Sequence, residues 1–492
     1  MITIKLSDPA YENDIYPLVK AFYPDKSVKL YRRESDEKKE YITEQDSLII
    51  EFLIDKIEVY FHILECPVMS QTLYLASTMP KPQYKNTMKR FLYGMLSGIT
   101  KKELPWGILT GIRPTKLLLE MLERKMDKAQ IVDRMREEYL CSEAKIDISL
   151  RIAASEIDLL RRIDYRNGYS LYIGIPFCPS TCLYCSFTSY SVTKYSEYIE
   201  AYLTALEKEI SYGATCFPGK ELTTVYFGGG TPTALSAEQL DRLLGFVRKS
   251  FDFTQVKEFC VEAGRPDSIT KEKLEVLKKW GVDRISINPQ SMQQKTLDLI
   301  GRQHTVEEVI SAFHLAREIG HQNINMDIII GLPGEGPEDV ADTLQQVKAL
   351  NPDSLTVHTL AIKRAARLNT QKEEYDTCKA TGVGEMLEDT IRFAAENAYL
   401  PYYLYRQKNM TDNLENIGYA RYGKEGIYNI LIMEEKQTIL ALGAGGMSKF
   451  VFHEENRIER VDNVKSVTDY IDRIDEMISR KRTFLSDSGY KL

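Results

Sequence analysis

The chain has 492 residues, 43% hydrophobic and 27% charged, with a formal net charge of −7. That length exceeds one ordinary core and implies two or three domains, while the acidic balance argues against nucleic acid as a partner of the chain as a whole. No uncharged apolar run reaches the roughly 18 residues that a bilayer span needs, so no membrane span is expected. The start, "MITIKLSDPAYEND", has no basic-then-apolar signal pattern, and a cytoplasmic location is the expectation. Eight cysteines (66, 141, 178, 182, 185, 216, 260 and 378) are too sparse and scattered for a disulfide framework.

In chain order, residues 1–165 read as an α+β domain of unassigned role. Short β-like runs, "ITIKL", "SVKLYR", "DSLIIEFLI", "IEVYFHIL" and "TLYLAS", precede a mainly helical stretch from about 83 to 162. Between Thr78 and Lys128 stand eleven Lys or Arg against four Asp or Glu. Amphipathic helices with solvated faces account for such a run, and an RNA-binding face is the alternative. Asn167-Gly168 then punctuates the chain. From Tyr169, apolar runs ("SLYIGIPF", "LTTVYFGGG", "EFCVEAG", "DRISIN", "INMDIIIGLPG", "DSLTVHTLA") alternate with helical periods. Six near-continuously apolar strands, each followed by a helix, predict a parallel sheet covered by helices. Six repeats are too few for a closed eight-stranded barrel, so an open, partial (β/α)6 barrel over 166–399 is expected, with chemistry at the C-terminal strand ends. Residues 400–492 turn to shorter strands, Gly-rich turns and a final helix, and read as a C-terminal α+β cap.

Three cysteines, Cys178, Cys182 and Cys185, sit in "IPFCPSTCLYCSF" just after the first barrel strand, spaced C-x3-C-x2-C. Structural zinc would want a fourth ligand, usually from a second pair or a nearby His, and none is present. A disulfide would leave one thiol over and does not suit a reducing compartment. Thiolates are the ligands of iron–sulfur clusters, and three on one loop can hold three irons of a [4Fe–4S] cube with the fourth open.

With Tyr184 before its last cysteine, this motif resembles the radical S-adenosylmethionine (SAM) signature. The surrounding "LYIGIPFCPSTCLYCSF", with "PWGILTGIRPTKL" at 105–117, is similar to the oxygen-independent coproporphyrinogen III oxidase family, most of all to its HemZ-type coproporphyrinogen dehydrogenases. The resemblance implies a [4Fe–4S] cluster on the three cysteines and one or two molecules of SAM, cleaved by one electron to a 5′-deoxyadenosyl radical. It further implies oxidative decarboxylation of two propionates of coproporphyrinogen III to the vinyls of protoporphyrinogen IX in anaerobic haem biosynthesis. The implied partners are a porphyrinogen substrate and a one-electron donor such as flavodoxin or ferredoxin.

The same resemblance distributes roles. "YFGGGTPT" ends the second barrel strand, and glycines there either make a turn or let backbone approach a ligand; carried over, Gly229, Gly230 and Thr231 contact SAM, as does Tyr172. Glu262 closes an apolar strand and needs a partner, either the SAM ribose or a salt bridge at the barrel rim. Cys260 in that strand reads as a packed core thiol. Tyr184, Gln290, Arg302, Asp327 and Ala361 match positions that hold a second SAM, with an ion pair or simple packing as the alternative at each; Met447 is a weaker match. Lys363, Arg364, Arg367, Arg406 and Lys408 are candidates for the propionates.

Several positions depart from the pattern. Gly174 stands where many relatives have His, and Ser186 and Phe187 stand where they have Asp or a further Cys. In the haem-chaperone branch a His-Asn-x-x-Tyr-Trp element is expected; here the match is "ENIGYA", with Glu415 and Ala420 replacing His and Trp. The haem ligand that the resemblance would imply is thus absent, which weakens the chaperone reading; a haem-binding or trafficking protein that keeps the cluster is the rival reading, and a radical SAM enzyme acting on RNA is another.

Overall fold

The computed structural model describes residues 1–24, 26–32, 46–62, 68–76, 78–111, 113–185, 189–361, 380–406 and 414–490. They form two compact units, Met1–Ala153 and Ala154–Leu492, divided within the helix Glu143–Leu160.

The first unit carries strands β1 (Ile2–Leu6), β2 (Val28–Arg32), β3 (Asp46–Phe52), β4 (Lys56–His62) and β5 (Met69–Tyr74), in the order β2-β1-β3-β4-β5. β1 runs parallel to both neighbours, while β3, β4 and β5 form an antiparallel meander. A parallel β1–β2 pair needs a crossover, and the helix Glu12–Phe22 supplies it, burying Ile15, Leu18, Val19 and Phe22 at helical spacing. In β4, buried Ile57, Val59 and Phe61 alternate with half-buried polar and aromatic residues, which is the period of a strand covered on one face. Five of the eleven basic residues of the 78–128 segment lie on the helices Lys81–Thr100 and Lys116–Glu123. There Lys85 pairs with Asp14 at 2.7 Å, and Lys116 with Glu120 at 3.8 Å.

The second unit is built on β6 (Gly168–Ile175), a two-residue ladder of β7 (Phe177–Cys178) with β8 (Tyr190–Ser191), and β9 (Glu221–Gly229), β10 (Glu258–Glu262), β11 (Arg284–Ser286), β12 (Ile324–Ile330) and β13 (Ser354–Thr359). β6, β9, β10, β11, β12 and β13 lie side by side, all parallel and in sequence order. This is the partial (β/α)6 barrel. The apolar run of β12 is broken only by Asn325 and Asp327, and the helices that follow the strands bury one face each. Because every strand points the same way, the residues that end the strands meet on one face.

The strands after 400 are continuous with the barrel sheet. β15 (Asn416–Ala420) pairs antiparallel with β13 and carries β14 (Leu400–Tyr405) outside it. At the opposite edge, β16 (Thr438–Leu442) runs parallel to β6 and is followed by the antiparallel β17 (Met447–Phe452) and β18 (Arg457–Asp462). The segment read as a cap thus extends one sheet to 11 strands from both sides. The reason is that an open parallel sheet leaves two edges of unpaired N–H and C=O groups, which pairing satisfies. The final helix, Ile474–Asp487, is anchored by a buried ion pair: Lys481 Nζ lies 2.7 Å from Glu209 Oε1, both side chains 0% exposed. Glu209 also accepts from Asn463 Nδ2 (2.8 Å), Tyr470 Oη (2.6 Å) and the Gly443 N–H (2.8 Å). Among the described residues, no helix is long and apolar enough to cross a membrane.

Candidate active site

The cysteine loop leaves the C-terminal end of β6 and is strapped on several sides. Val192 N–H donates to Cys178 O (2.9 Å), Leu183 N–H to Ile300 O (3.0 Å) and Cys185 N–H to Cys182 O (3.2 Å). Leu183 is a peg, 4% exposed, in an apolar cluster with Leu297, Ile300, Ile329, Leu332 and Leu360. The glycines of β9 close in from the other side: Gly230 N–H donates to Ile175 O and Thr231 N–H to Phe177 O, each at 2.7 Å. A Cβ on Gly230 would stand 2.5 Å from Phe177 O and 3.0 Å from Cys178 Sγ, so only glycine allows this approach. Gly229 has φ +108° and lies beside the Tyr172 hydroxyl, a conformation that glycine adopts without strain.

The donor set fits an iron–sulfur cluster. The 178–185 loop carries three thiols and no carboxylate or imidazole, and each thiol is free of disulfide bonding. Thiolates alone suit a multi-iron cluster. Burial pushes the Cys178 thiol up to about 11. Two of the sulfurs have hydrogen-bond donors: Thr231 Oγ1 lies 3.5 Å from Cys178 Sγ and Arg265 Nη1 3.6 Å from Cys182 Sγ.

Around the loop, the strand ends present polar groups. Glu262, ending β10, accepts from the Tyr226 hydroxyl; burial pushes its carboxyl up to about 7, and the charge of Asp327 adds to this. Burial works in the same direction on Asp327, but His358 and Asn325 outweigh it and hold the carboxyl below its ordinary value. His358 Nε2 stands 3.7 Å from Asp327 Oδ2, and Asn325 Nδ2 donates to Oδ1 at 2.6 Å. The two carboxylates thus differ in protonation near neutral pH. Gln290, at φ +69°, bridges to β12, its N–H donating to Asp327 O (3.0 Å). Arg302 is buried and ties the loop to the strand ends, through Nη1 to Tyr184 Oη (2.9 Å) and Nη2 to Asn288 O (2.7 Å). Ser286 Oγ, Asn288 Oδ1, Gln290 Oε1 and Arg302 Nε are buried and find no hydrogen-bond partner among the described residues. Each such atom costs about 1–3 kcal/mol, which a polar ligand would recover. Tyr172, on β6, belongs to a stack with Tyr226 (6.2 Å) and Tyr428 (6.3 Å), the latter two rings 4.4 Å apart.

Direct bonds or close contacts thus gather Tyr172, Gly229, Gly230, Thr231 and Cys178, and pair Tyr184 with Arg302 and Gln290 with Asp327. Ala361 follows Leu360, whose N–H bonds Ile330 O at the end of β12 (3.0 Å). Met447 is 45% exposed at the start of β17, paired across to Asp462. Gly174 packs beneath the 443–446 hairpin: Tyr202 Oη donates to Gly174 O (2.7 Å) and accepts from Ala444 N–H (3.1 Å). Cys260 is a buried core thiol, and Arg406 is 2% exposed. Ser186, Phe187, Lys363, Arg364, Arg367 and Lys408 lie outside the described residues. The "ENIGYA" stretch supplies β15 and the residue before it, and Glu415 and Ala420 are both fully buried. Sequence reasoning passed over Arg265, Asp267 and His358. The signal for the first two was in "EAGRPD", an Arg and an Asp two residues apart straight after a strand-ending Glu.

Residues 172–347 match the Radical SAM superfamily. The chain is 44% identical over 413 residues to the oxygen-independent coproporphyrinogen-III oxidase-like protein HemZ of Bacillus subtilis (strain 168), covering 82% of this chain and 81% of that one. It is 37% identical over 195 residues to the heme chaperone HemW of the same organism, covering 39% of this chain and 51% of that one. Among solved structures, coproporphyrinogen III oxidase (HemN) from Escherichia coli is similar with a TM-score of 0.52 and 26% identity, over 65% of this chain and 72% of that one. A cysteine loop fit for a cluster, a parallel half-barrel and likeness along most of a relative's length converge: the chain belongs to the coproporphyrinogen oxidase-like family of radical SAM proteins, whose cofactors are a [4Fe–4S] cluster and SAM.

Proposed function

We propose that this protein is an oxidoreductase that oxidatively decarboxylates propionate side chains of coproporphyrinogen III to vinyl groups. The observation that carries the reading is the group of buried polar atoms at Ser286, Asn288, Gln290 and Arg302 that find no partner among the described residues, with Arg302 bonded to Tyr184 of the cysteine loop, in a chain whose likeness to an oxidase-like relative covers 82% of its length. When bound, the cluster and SAM would supply one-electron chemistry that removes a hydrogen atom from a propionate C–H bond, and the substrate would then lose CO2 and give its one remaining electron to a one-electron acceptor. In this reading Cys178, Cys182 and Cys185 hold the cluster. Gly229, Gly230 and Thr231 offer backbone and hydroxyl groups to the polar end of SAM, Tyr172 packs beside them, and Glu262 accepts from its hydroxyls. Tyr184, Gln290, Arg302, Asp327 and Ala361 form the adjoining subsite, for a second SAM or for the substrate edge. The barrel wall keeps water from the reacting carbon. A flavodoxin or ferredoxin is the proposed electron donor.

Anaerobic reconstitution followed by SAM, reductant and coproporphyrinogen III tests this. The expected products are CO2 and a divinyl porphyrinogen; deoxyadenosine without any porphyrin product would reject the substrate. The HemW likeness favours a second reading, haem trafficking. Tight stoichiometric haem binding without turnover would select it.

A further inference from the structure

Arg265 follows Gly264 just after β10, and its side chain is 5% exposed. One edge of its guanidinium is locked by Asp267, with Nε to Oδ1 at 2.9 Å and Nη2 to Oδ2 at 2.6 Å. The remaining nitrogen, Nη1, faces the cysteine loop. It donates to Ser180 Oγ (2.8 Å) and Ser180 O (3.1 Å) and reaches Cys182 Sγ at 3.6 Å. The backbone beneath is braced as well: Ser268 Oγ donates to Arg265 O (2.7 Å), and Thr233 Oγ1 bonds both Ala263 O (2.9 Å) and Ser268 Oγ (2.7 Å). A planar fork held bidentately at one end presents its other end in a fixed direction. Nothing in the substrate reading needs this arrangement, since Arg265 points at the cluster loop.

We infer that Arg265 is a positioning residue for the iron–sulfur cluster, fixing the 178–182 turn and setting the cluster's reduction potential through its hydrogen bond to the Cys182 sulfur. Reduction adds negative charge to the cluster and its thiolates, and a donor on a ligand sulfur stabilises that charge more than the oxidised state. Hydrogen bonds to ligand sulfurs are among the groups that set cluster potentials. Asp267 neutralises the guanidinium at a distance, so the directed N–H is the part felt at Cys182. Asp267 in turn holds Arg265 on its target.

The inference rests on the three-cysteine cluster assignment, and the iron content of the reconstituted wild type checks that separately from the role of Arg265. The test is an EPR-monitored redox titration of reconstituted wild type, Arg265→Gln and Asp267→Asn, without SAM. The expected result is four irons per chain and a lower potential in Arg265→Gln, with the ratio of reduced to oxidised cluster at a fixed potential falling about tenfold, which is ~59 mV for one electron. Asp267→Asn keeps an acceptor for the guanidinium but leaves its charge unneutralised, so its potential is expected to rise. Four irons with an unchanged potential in Arg265→Gln would overturn the inference. If Arg265→Gln cannot hold four irons, Asp267→Asn decides: a raised potential supports the role, and an unchanged or lowered one refutes it.

Discussion

Lys481→Met isolates the contribution of the C-terminal helix to the barrel. Glu209 and Lys481 are both 0% exposed and 2.7 Å apart, so the substitution leaves a carboxylate in the interior without its counter-ion. Breaking a buried pair from one side costs about 3–5 kcal/mol. Three donors to Glu209 remain, Asn463, Tyr470 and the Gly443 N–H, and these place the expectation near the lower end, about 3 kcal/mol. Lys481 also donates to Asn463 Oδ1 at 2.6 Å, a bond that the Met variant loses too. Trp280, the tryptophan of the 154–492 unit, reports its unfolding in urea in a Trp106→Phe background. With a slope of about 3 kcal/mol/M, the midpoint falls by about 1 M. Glu209→Gln with Lys481→Met removes both charges and keeps an acceptor for Asn463, so the double variant is expected to be about 1–2 kcal/mol more stable than the sum of the single effects. A Lys481→Met protein within about 0.5 kcal/mol of its parent, the usual range of a surface change, would refute the reasoning. So would strict additivity.

Cys185→Ala is expected to abolish cluster retention, and a variant still holding four irons per chain would refute the ligand assignment. Gly230→Ala drives a Cβ to 2.5 Å from Phe177 O and 3.0 Å from Cys178 Sγ; the strands must part at a cost of about 1–3 kcal/mol, and iron content is expected to drop while far-UV circular dichroism is kept. Glu262 has a carboxyl pushed up to about 7, so it is half-protonated there and a full acceptor only above. SAM affinity by calorimetry is expected to weaken as pH falls through that value, and Glu262→Gln to flatten the profile; an unchanged profile in the variant would exclude Glu262 as the acceptor. Arg302→Met removes the link from Tyr184 Oη to Asn288 O. Hydrogen bonds from a charged donor contribute about 1.5–3 kcal/mol each, so a lower unfolding temperature and a looser 182–185 turn by hydrogen exchange are the expected outcomes.

The sequence alone carried the barrel, the cysteine triad and the strand-end residues, because these depend on local order along the chain. Near-continuously apolar runs alternate with helical periods, and six parallel strands put Gly229, Glu262, Gln290 and Asp327 on one face whatever else the molecule does. Only the tertiary structure decided the rest. Nothing local says that β14 and β15 join the sheet at β13 while β16, β17 and β18 join it at β6, since an edge strand's periodicity does not name its partner. Arg265 meets Cys182 across 83 positions, and Lys481 meets Glu209 across 272. Such polar pairs leave no periodic trace, because a buried charge is stabilised by the one group opposite it in space rather than by its neighbours in sequence.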